Sequence, residues 1–520
     1  MRTDRRGAIA AGTLAALGLA QPAKADGERQ SGPSAPGPGQ FLNPVLAGDR
    51  PDPAVLRDGR DYYLTFSSFD TYPGLTIWHS RDLVNWQPRK AALIRNIGSV
   101  WAVSLEKHAG RYFLYIPVKA QPNDIFVTWA DSIDGPWSDP VPLGLHDHID
   151  PCHAVAEDGS RWLFLSGGDR VRLADDGLSV IGPVEHVYDP WHYPSDWDVE
   201  GFSPEGPKIH RIGEWYYMLT AVGGTAGPPT GHMVIAARSR SLHGPWQHHP
   251  RNPLVRTQSE SERWWSRGHA SLVEAPDGSW WSLYHGYLAG YWTLGRQCLL
   301  DPVEFTADGW FQMRGGDLSR PLARPRGGAA VPHGMALSDR FDGPLQLGSK
   351  WAFFRPAPDE ARRVRIGADA LHLAGRGTAP SSGSPLLLTA GDTSYSFECD
   401  IELGEGSTAG LVLFYDDRLY CGLGFDHQRF VVHQYGIERA RPINPHGGRL
   451  RMRITNRRHI VSIHTSGDQG RTWTRFDRGM EVSGYHHNVR GGFLALRPGL
   501  YAAGPAETTF RDFRYQILKD

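Results

Sequence analysis

The chain has 520 residues, too many for one ordinary core, so two domains are expected. Its 55 Lys and Arg balance 56 Asp and Glu, which argues against a nucleic-acid binder or a membrane-surface protein. With 61 glycines, 39 prolines and 18 tryptophans, the composition points to many short strands and turns, and to aromatic surfaces of the kind on which sugars stack.

In chain order, residues 1–25 read as an export signal. "MRTDRR" is a basic start, Gly7 to Ala20 is a short apolar run, and Ala23-Lys24-Ala25 offers a cleavage site. The apolar run is too short to span a bilayer as a helix. Export to the periplasm or the medium is therefore expected, and Arg5-Arg6 is compatible with the twin-arginine route. Residues 26–40, "DGERQSGPSAPGPGQ", form a flexible leader with no core of their own.

From residue 41 to 322 one pattern repeats. "DGRDYYLTFSS", "HAGRYFLYIPV", "EDGSRWLFLSG", "RIGEWYYMLTA" and "PDGSWWSLYHG" each join a turn glycine to an aromatic-rich strand. Their glycines, Gly59, Gly110, Gly159, Gly213 and Gly278, are separated by 51, 49, 54 and 65 residues. "SRDLVNW", "DSIDGPW" and "SRSLHGPW" follow as second strand–turn elements. A period near fifty with several strands per unit predicts a five-bladed β-propeller.

Counting back from each turn glycine locates the strand that lines a propeller's axis. Asp52 stands 7 residues before its glycine, Trp101 9, Asp150 9, Glu205 8 and His269 9. Five different side chains, three of them carboxylates, should therefore meet at one mouth of the axis. Carboxylates crowded in a low-dielectric mouth have their pKa values pushed apart, so some stay ionised and one holds a proton. Glycoside hydrolysis needs that division: an acid for the leaving oxygen and a base or nucleophile across the ring. Within "DWDVEGFSPEG", Asp196, Asp198 and Glu200 are further acids, and composition alone leaves Glu200 open as the proton donor.

The stretches "RPDPAVLRDGRDYYLTFSSF", "HIDPCHAVAEDGSRWLF", "SPEGPKIHRIGEWYYML" and "WSRGHASLVEAPDGSWWSLYHG" resemble glycoside hydrolase family 43. The resemblance implies an inverting mechanism with Asp52 as general base, Glu205 as general acid, and Asp150 raising the pKa of that acid and orienting it. It also implies substrate contacts for His269 and Arg296 and a pocket wall at Phe69 and Trp101. No cofactor is required. A Ca2+ ion at the axis occurs in parts of the family, though no oxygen-ligand loop is visible here. Cys152 is read as a filler.

Residues 323–336 are a Pro/Gly-rich linker, and from residue 337 to 520 the pattern becomes strict alternation, as in "SYSFECDIEL" and "RLRMRITN". This predicts a β-sandwich resembling the concanavalin-like domain that follows many family 43 β-xylosidases. Cys399 and Cys421 read as buried residues, with a bridge between them open, and no Cys/His spacing suggests zinc. The fold expected is all-β, a five-bladed β-propeller followed by a β-sandwich. The function expected is exo-acting release of a terminal pentose, β-D-xylose or α-L-arabinofuranose, from hemicellulose-derived oligosaccharides. The alternative is a non-catalytic sugar-binding propeller. No nucleic-acid or membrane partner is expected, and the sequence says nothing of oligomeric state.

Overall fold

The computed structural model describes residues 35–519; the export signal and residues 26–34 of the leader lie outside the described residues. Five antiparallel sheets follow one another along the chain. Their first strands are Ala54–Asp58, Ser104–His108, Cys152–Val155, Glu205–Ile212 and Trp264–Glu274. These five contact one another in a closed ring and line an axial cavity, so the sheets are the blades of a five-bladed propeller. The turn glycines 59, 110, 159, 213 and 278 all have φ between 61° and 84°, a conformation that other L-residues adopt at a cost. Second strands such as Arg161–Leu165 and Trp215–Val222 are buried almost throughout, because each packs between neighbouring blades. That burial explains their unbroken aromatic and aliphatic runs.

The ring is clasped near its start. Gln40–Phe41 pairs with Leu322–Ala323, and Asn43 exchanges two hydrogen bonds with the Leu300 backbone, at 2.9 and 2.8 Å. Gln40, assigned by sequence to the leader, is thus already in a strand. The linker is docked: the Trp86 N–H donates to His333 Nδ1 at 3.3 Å, and the Gly334 N–H donates to the Trp86 carbonyl at 2.7 Å.

The C-terminal region is a sandwich of an eight-stranded and a seven-stranded antiparallel sheet around one apolar core. Cys399 and Cys421 lie in that core as free thiols, so the bridge left open by the sequence is not formed. The eight-stranded sheet does not end within the sandwich. Its last strand, Thr71–Tyr72, comes from blade 1 and pairs with Ala352–Phe354, Tyr72 opposite Phe353 and Thr71 opposite Phe354. Beside it, Arg355 donates to the Asp70 carbonyl at 2.7 Å and to its carboxylate at 3.0 Å. Among the described residues no helix is long and apolar enough to cross a membrane.

Candidate active site

The site opens where the five first strands begin. Asp52 and Asp150 each sit two residues before a first strand, Trp101 three before one, Glu205 at the first position of its strand, and His269 at an irregularity within Trp264–Glu274. Asp52, Asp150 and His269 all have left-handed backbones, with φ of 57°, 54° and 55°. Three such residues at one mouth store strain of the kind that clusters at functional sites. The acid between Pro51 and Pro53 is therefore held, not solvated.

His269 stands in the middle. Its Nδ1 is 3.6 Å from Asp52 Oδ1, and its Nε2 is 3.4 Å from Glu205 Oε1 and 3.7 Å from Asp150 Oδ2. Gly206, with φ of 61°, makes room for the ring: a Cβ there would lie 2.7 Å from His269 Nδ1. One imidazole thus separates Asp52 from Glu205, and its width plus two contacts sets an upper bound near the top of the roughly 6.5–9.5 Å range of inverting enzymes. Asp52 also accepts from Arg296 Nη1 at 2.9 Å and from the Ser67 hydroxyl at 2.5 Å. Asp150 accepts from the Gly206 N–H at 3.0 Å and the Ser166 hydroxyl at 3.3 Å.

These surroundings sort the charges. Burial raises the Asp52 carboxyl, but Arg296, His269 and His285 outweigh it and hold it well below the carboxylate range. Burial opposes charge on His269 too, yet Asp52, Glu205 and Asp150 together lift it to about 9. Burial, with the charges of Glu205 and Asp52, pushes Asp150 up to about 7. Burial also raises Glu205, and hydrogen bonds from His232 and His269 more than reverse this. Glu205 is therefore held toward its ionised form, and His269 and Asp150 toward their protonated forms. The resemblance implies that Asp150 raises the pKa of Glu205; the groups that act most on Glu205 besides burial are His232 and His269, and both lower it.

All seven sequence-predicted residues, Asp52, Phe69, Trp101, Asp150, Glu205, His269 and Arg296, line one cavity. Phe493 and Thr225 line it as well and were not anticipated. Phe493 belongs to the sandwich, 288 residues after Glu205, and no local motif marks it. It lies 6.3 Å from Phe69 in a stacked arrangement and 5.5 Å edge-on to Trp101, with the Arg296 guanidinium 5.2 Å above its ring. Phe69 and Phe493 have φ of 46° and 52°, rare for bulky side chains. His232 and His285, buried behind the carboxylates, were also missed; "WWSLYHG" contained the second, but nothing local aims it at the axis. Glu200 is exposed and accepts from the Ala226 N–H at 2.8 Å, away from the cavity. Asp196 and Asp198 are exposed. Cys152 is buried, accepts from the Ile209 N–H at 3.3 Å, and is pushed by burial up to about 11.

A Ca2+ ion does not fit this donor set. Glu205, His232 and His269 converge within 4.8 Å, but they offer one carboxylate and two imidazoles where Ca2+ takes about six to eight oxygens.

Comparison with known proteins agrees with this geometry. Residues 41–311 match the model of glycosyl hydrolases family 43, and residues 338–516 match that of the β-xylosidase C-terminal concanavalin A-like domain. The chain belongs to glycoside hydrolase family 43. It is 28% identical to a non-reducing end α-L-arabinofuranosidase of Bacteroides ovatus, over 91% of this chain and 94% of that one. It is 32% identical to a xylan 1,3-β-xylosidase of a Vibrio species over 48% of this chain and 49% of the other. A crystal structure of a family 43 protein from Bacillus licheniformis superposes with a TM-score of 0.81 at 24% identity, covering 92% of this chain and all of that one. The protein is thus a glycoside hydrolase, and the alternative of a non-catalytic propeller gives way.

Proposed function

We propose that this protein removes a terminal pentose, β-D-xylose or α-L-arabinofuranose, from hemicellulose-derived oligosaccharides with inversion. One observation carries the reading: Asp52 and Glu205 face one small cavity from either side of His269. Its lining, three aromatic rings beside three carboxylates and an arginine, suits one sugar ring. The names of the relatives, an arabinofuranosidase and a xylosidase, support the two pentoses.

Asp52, kept ionised by Arg296, takes a proton from a water that attacks the anomeric carbon. Glu205 gives a proton to the departing glycosidic oxygen. The sugar displaces water from around Glu205, which favours its neutral form and draws over the proton held by His269 and Asp150. Phe69, Trp101 and Phe493 offer apolar faces to the ring, and Arg296 and Thr225 reach its hydroxyls. The donor set behind the acids argues for chemistry without Ca2+, and the N-terminal residues support export.

The test is hydrolysis of aryl β-D-xylosides and α-L-arabinofuranosides, with the first-formed anomer followed by NMR. An inverted first product is expected, with loss of about 10²–10⁴ in kcat for Asp52→Asn. A retained anomer would refute the mechanism, and no turnover of either pentoside would refute the substrate class.

A further inference from the structure

Where blade 1 meets the sandwich, a second cleft shares Phe69 with the catalytic pocket. Phe66, Ser68 and Trp78 line it from the propeller, and Trp351, Leu388 and Arg497 from the sandwich. Its volume of about 100 Å³ is several times the roughly 10–15 Å³ that one water requires.

Two arginines, Arg50 and Arg497, reach this cleft. Among the described residues neither forms an ion pair, although Arg497 is only 4% exposed. The other acids near Arg497 are engaged elsewhere, Asp70 with Arg355 at 3.0 Å and Asp416 with Arg490 at 3.3 Å. Lys350, also in the lining, pairs with Asp339 at 3.3 Å. Asp49 is the one carboxylate in the lining; it accepts the Arg296 N–H at 3.1 Å, and burial pushes it up to about 6. Setting Arg50 and Arg497 against Asp49 leaves one positive charge over. Burial pulls both guanidiniums down to about 10, as expected of cations short of partners.

The donors agree with the charge. Arg50 Nε, Arg497 Nε and the Ser68 hydroxyl are all buried without a hydrogen-bond partner. Ser68 and Arg497 meet at one turn: the Thr71 N–H donates to the Ser68 carbonyl at 3.0 Å, and Arg497 Nη1 donates to Thr71 Oγ1. Arg497 Nη2 donates to the Tyr415 carbonyl at 3.3 Å, so Nε remains and no two-pronged face is free for an oxyanion. Arg50 lies over the Trp78 ring at 5.0 Å, with Nη1 on the Asp49 carbonyl at 2.7 Å. Buried donors left unmet are costly, and buried charge left unpaired is costlier.

We propose that this cleft binds one small monovalent anion, a halide of the chloride type, held by Arg497, Arg50 and Ser68 at the joint of propeller and sandwich. A single negative charge cancels the surplus. A sphere accepts single N–H and O–H groups from separate side chains, without the bidentate geometry that phosphate or sulfate uses. The ion fastens the two domains to each other, since Arg497 belongs to the sandwich and Arg50 and Ser68 to the propeller.

The test uses the full-length protein freed of halide in sodium gluconate, with NaBr replacing gluconate at constant ionic strength. The wild-type Tm is expected to rise saturably by about 2–4 °C. A crystal grown in bromide should show an anomalous peak beside Arg497 Nε. Ser68→Ala should raise the bromide midpoint at least about 3-fold, and Arg497→Met should abolish the rise. If Arg497→Met does not fold, Ser68→Ala and the bromide peak decide the matter. A Tm indifferent to bromide overturns the site, and a peak without stabilisation marks an adventitious ion only, which overturns it too. Undiminished stabilisation of both variants places the halide elsewhere, and a response to sulfate but not to bromide refutes the choice of ion.

Discussion

Asp52 is a carboxylate under two opposed forces, and their sizes decide its chemistry. Burial alone would raise it, whereas the buried Arg296 partner lowers it, and removing one member of a buried pair costs about 3–5 kcal/mol. Wild-type kcat/KM should therefore hold on the acid side well below pH 5. In Arg296→Gln the acid limb should move to higher pH, because the base then loses the cation that keeps it ionised and is protonated at a higher pH. On the alkaline side the sign is reversed. Asp150 and His269, raised to about 7 and about 9, hold the protons available to Glu205, and activity should fall as pH rises through those values. A pH profile with a flat alkaline limb to pH 10 would contradict this account. The carboxylates were legible in the sequence because each sits at a fixed offset from a turn glycine. His232 was not, because it lies just before a third strand, Met233–Ser239, where no such offset applies.

At the level of elements, the first strands bring the acids together, and a segment of the sandwich closes the space over them. Residues 486–493 form one short helical turn, His487–Arg490, followed by Phe493. The His487 ring stacks on Phe493 at 3.7 Å, and its Nδ1 accepts the Phe493 N–H at 3.0 Å. Asn488 Oδ1 accepts from the Gly227 N–H at 3.1 Å, which ties this turn to the propeller loop carrying Thr225. Phe493→Ala should therefore weaken sugar binding more than it slows chemistry. Loss of an aromatic wall worth about 0.5–1.5 kcal/mol predicts KM raised about 2- to 12-fold with kcat within about 3-fold. Steady-state kinetics on the aryl pentoside would check this, and a fall in kcat alone would contradict it.

For the whole molecule, propeller and sandwich are not independent beads. The strand Thr71–Tyr72 belongs to blade 1 by sequence and to the sandwich by hydrogen bonding. A chain ending at residue 336 would expose this strand together with apolar surface now shared with the sandwich, including Phe69 in its core cluster. Unpaired strand edges invite association, so the truncated chain should be inactive and prone to aggregate, as light scattering and the pentoside assay would show. A soluble, fully active propeller would refute the dependence. The two folds themselves were plain in the sequence, since repeats and strict alternation are local patterns. Their joint was not: pairing between Tyr72 and Phe353 connects segments 281 residues apart, and a two-residue strand has no periodicity to detect.

The wall supplied by Phe493 also has a meaning in time. Synthesis proceeds from the N-terminus at about 5–20 residues per second, and domains fold as they emerge. The carboxylates are all present once Glu205 has been made, but Phe493 follows only 288 residues later, an interval on the order of tens of seconds. For that period the nascent chain has its acids and no enclosure around them. Completion of the pocket thus comes long after its acids are made, so competence for catalysis reports that both domains have been built and joined.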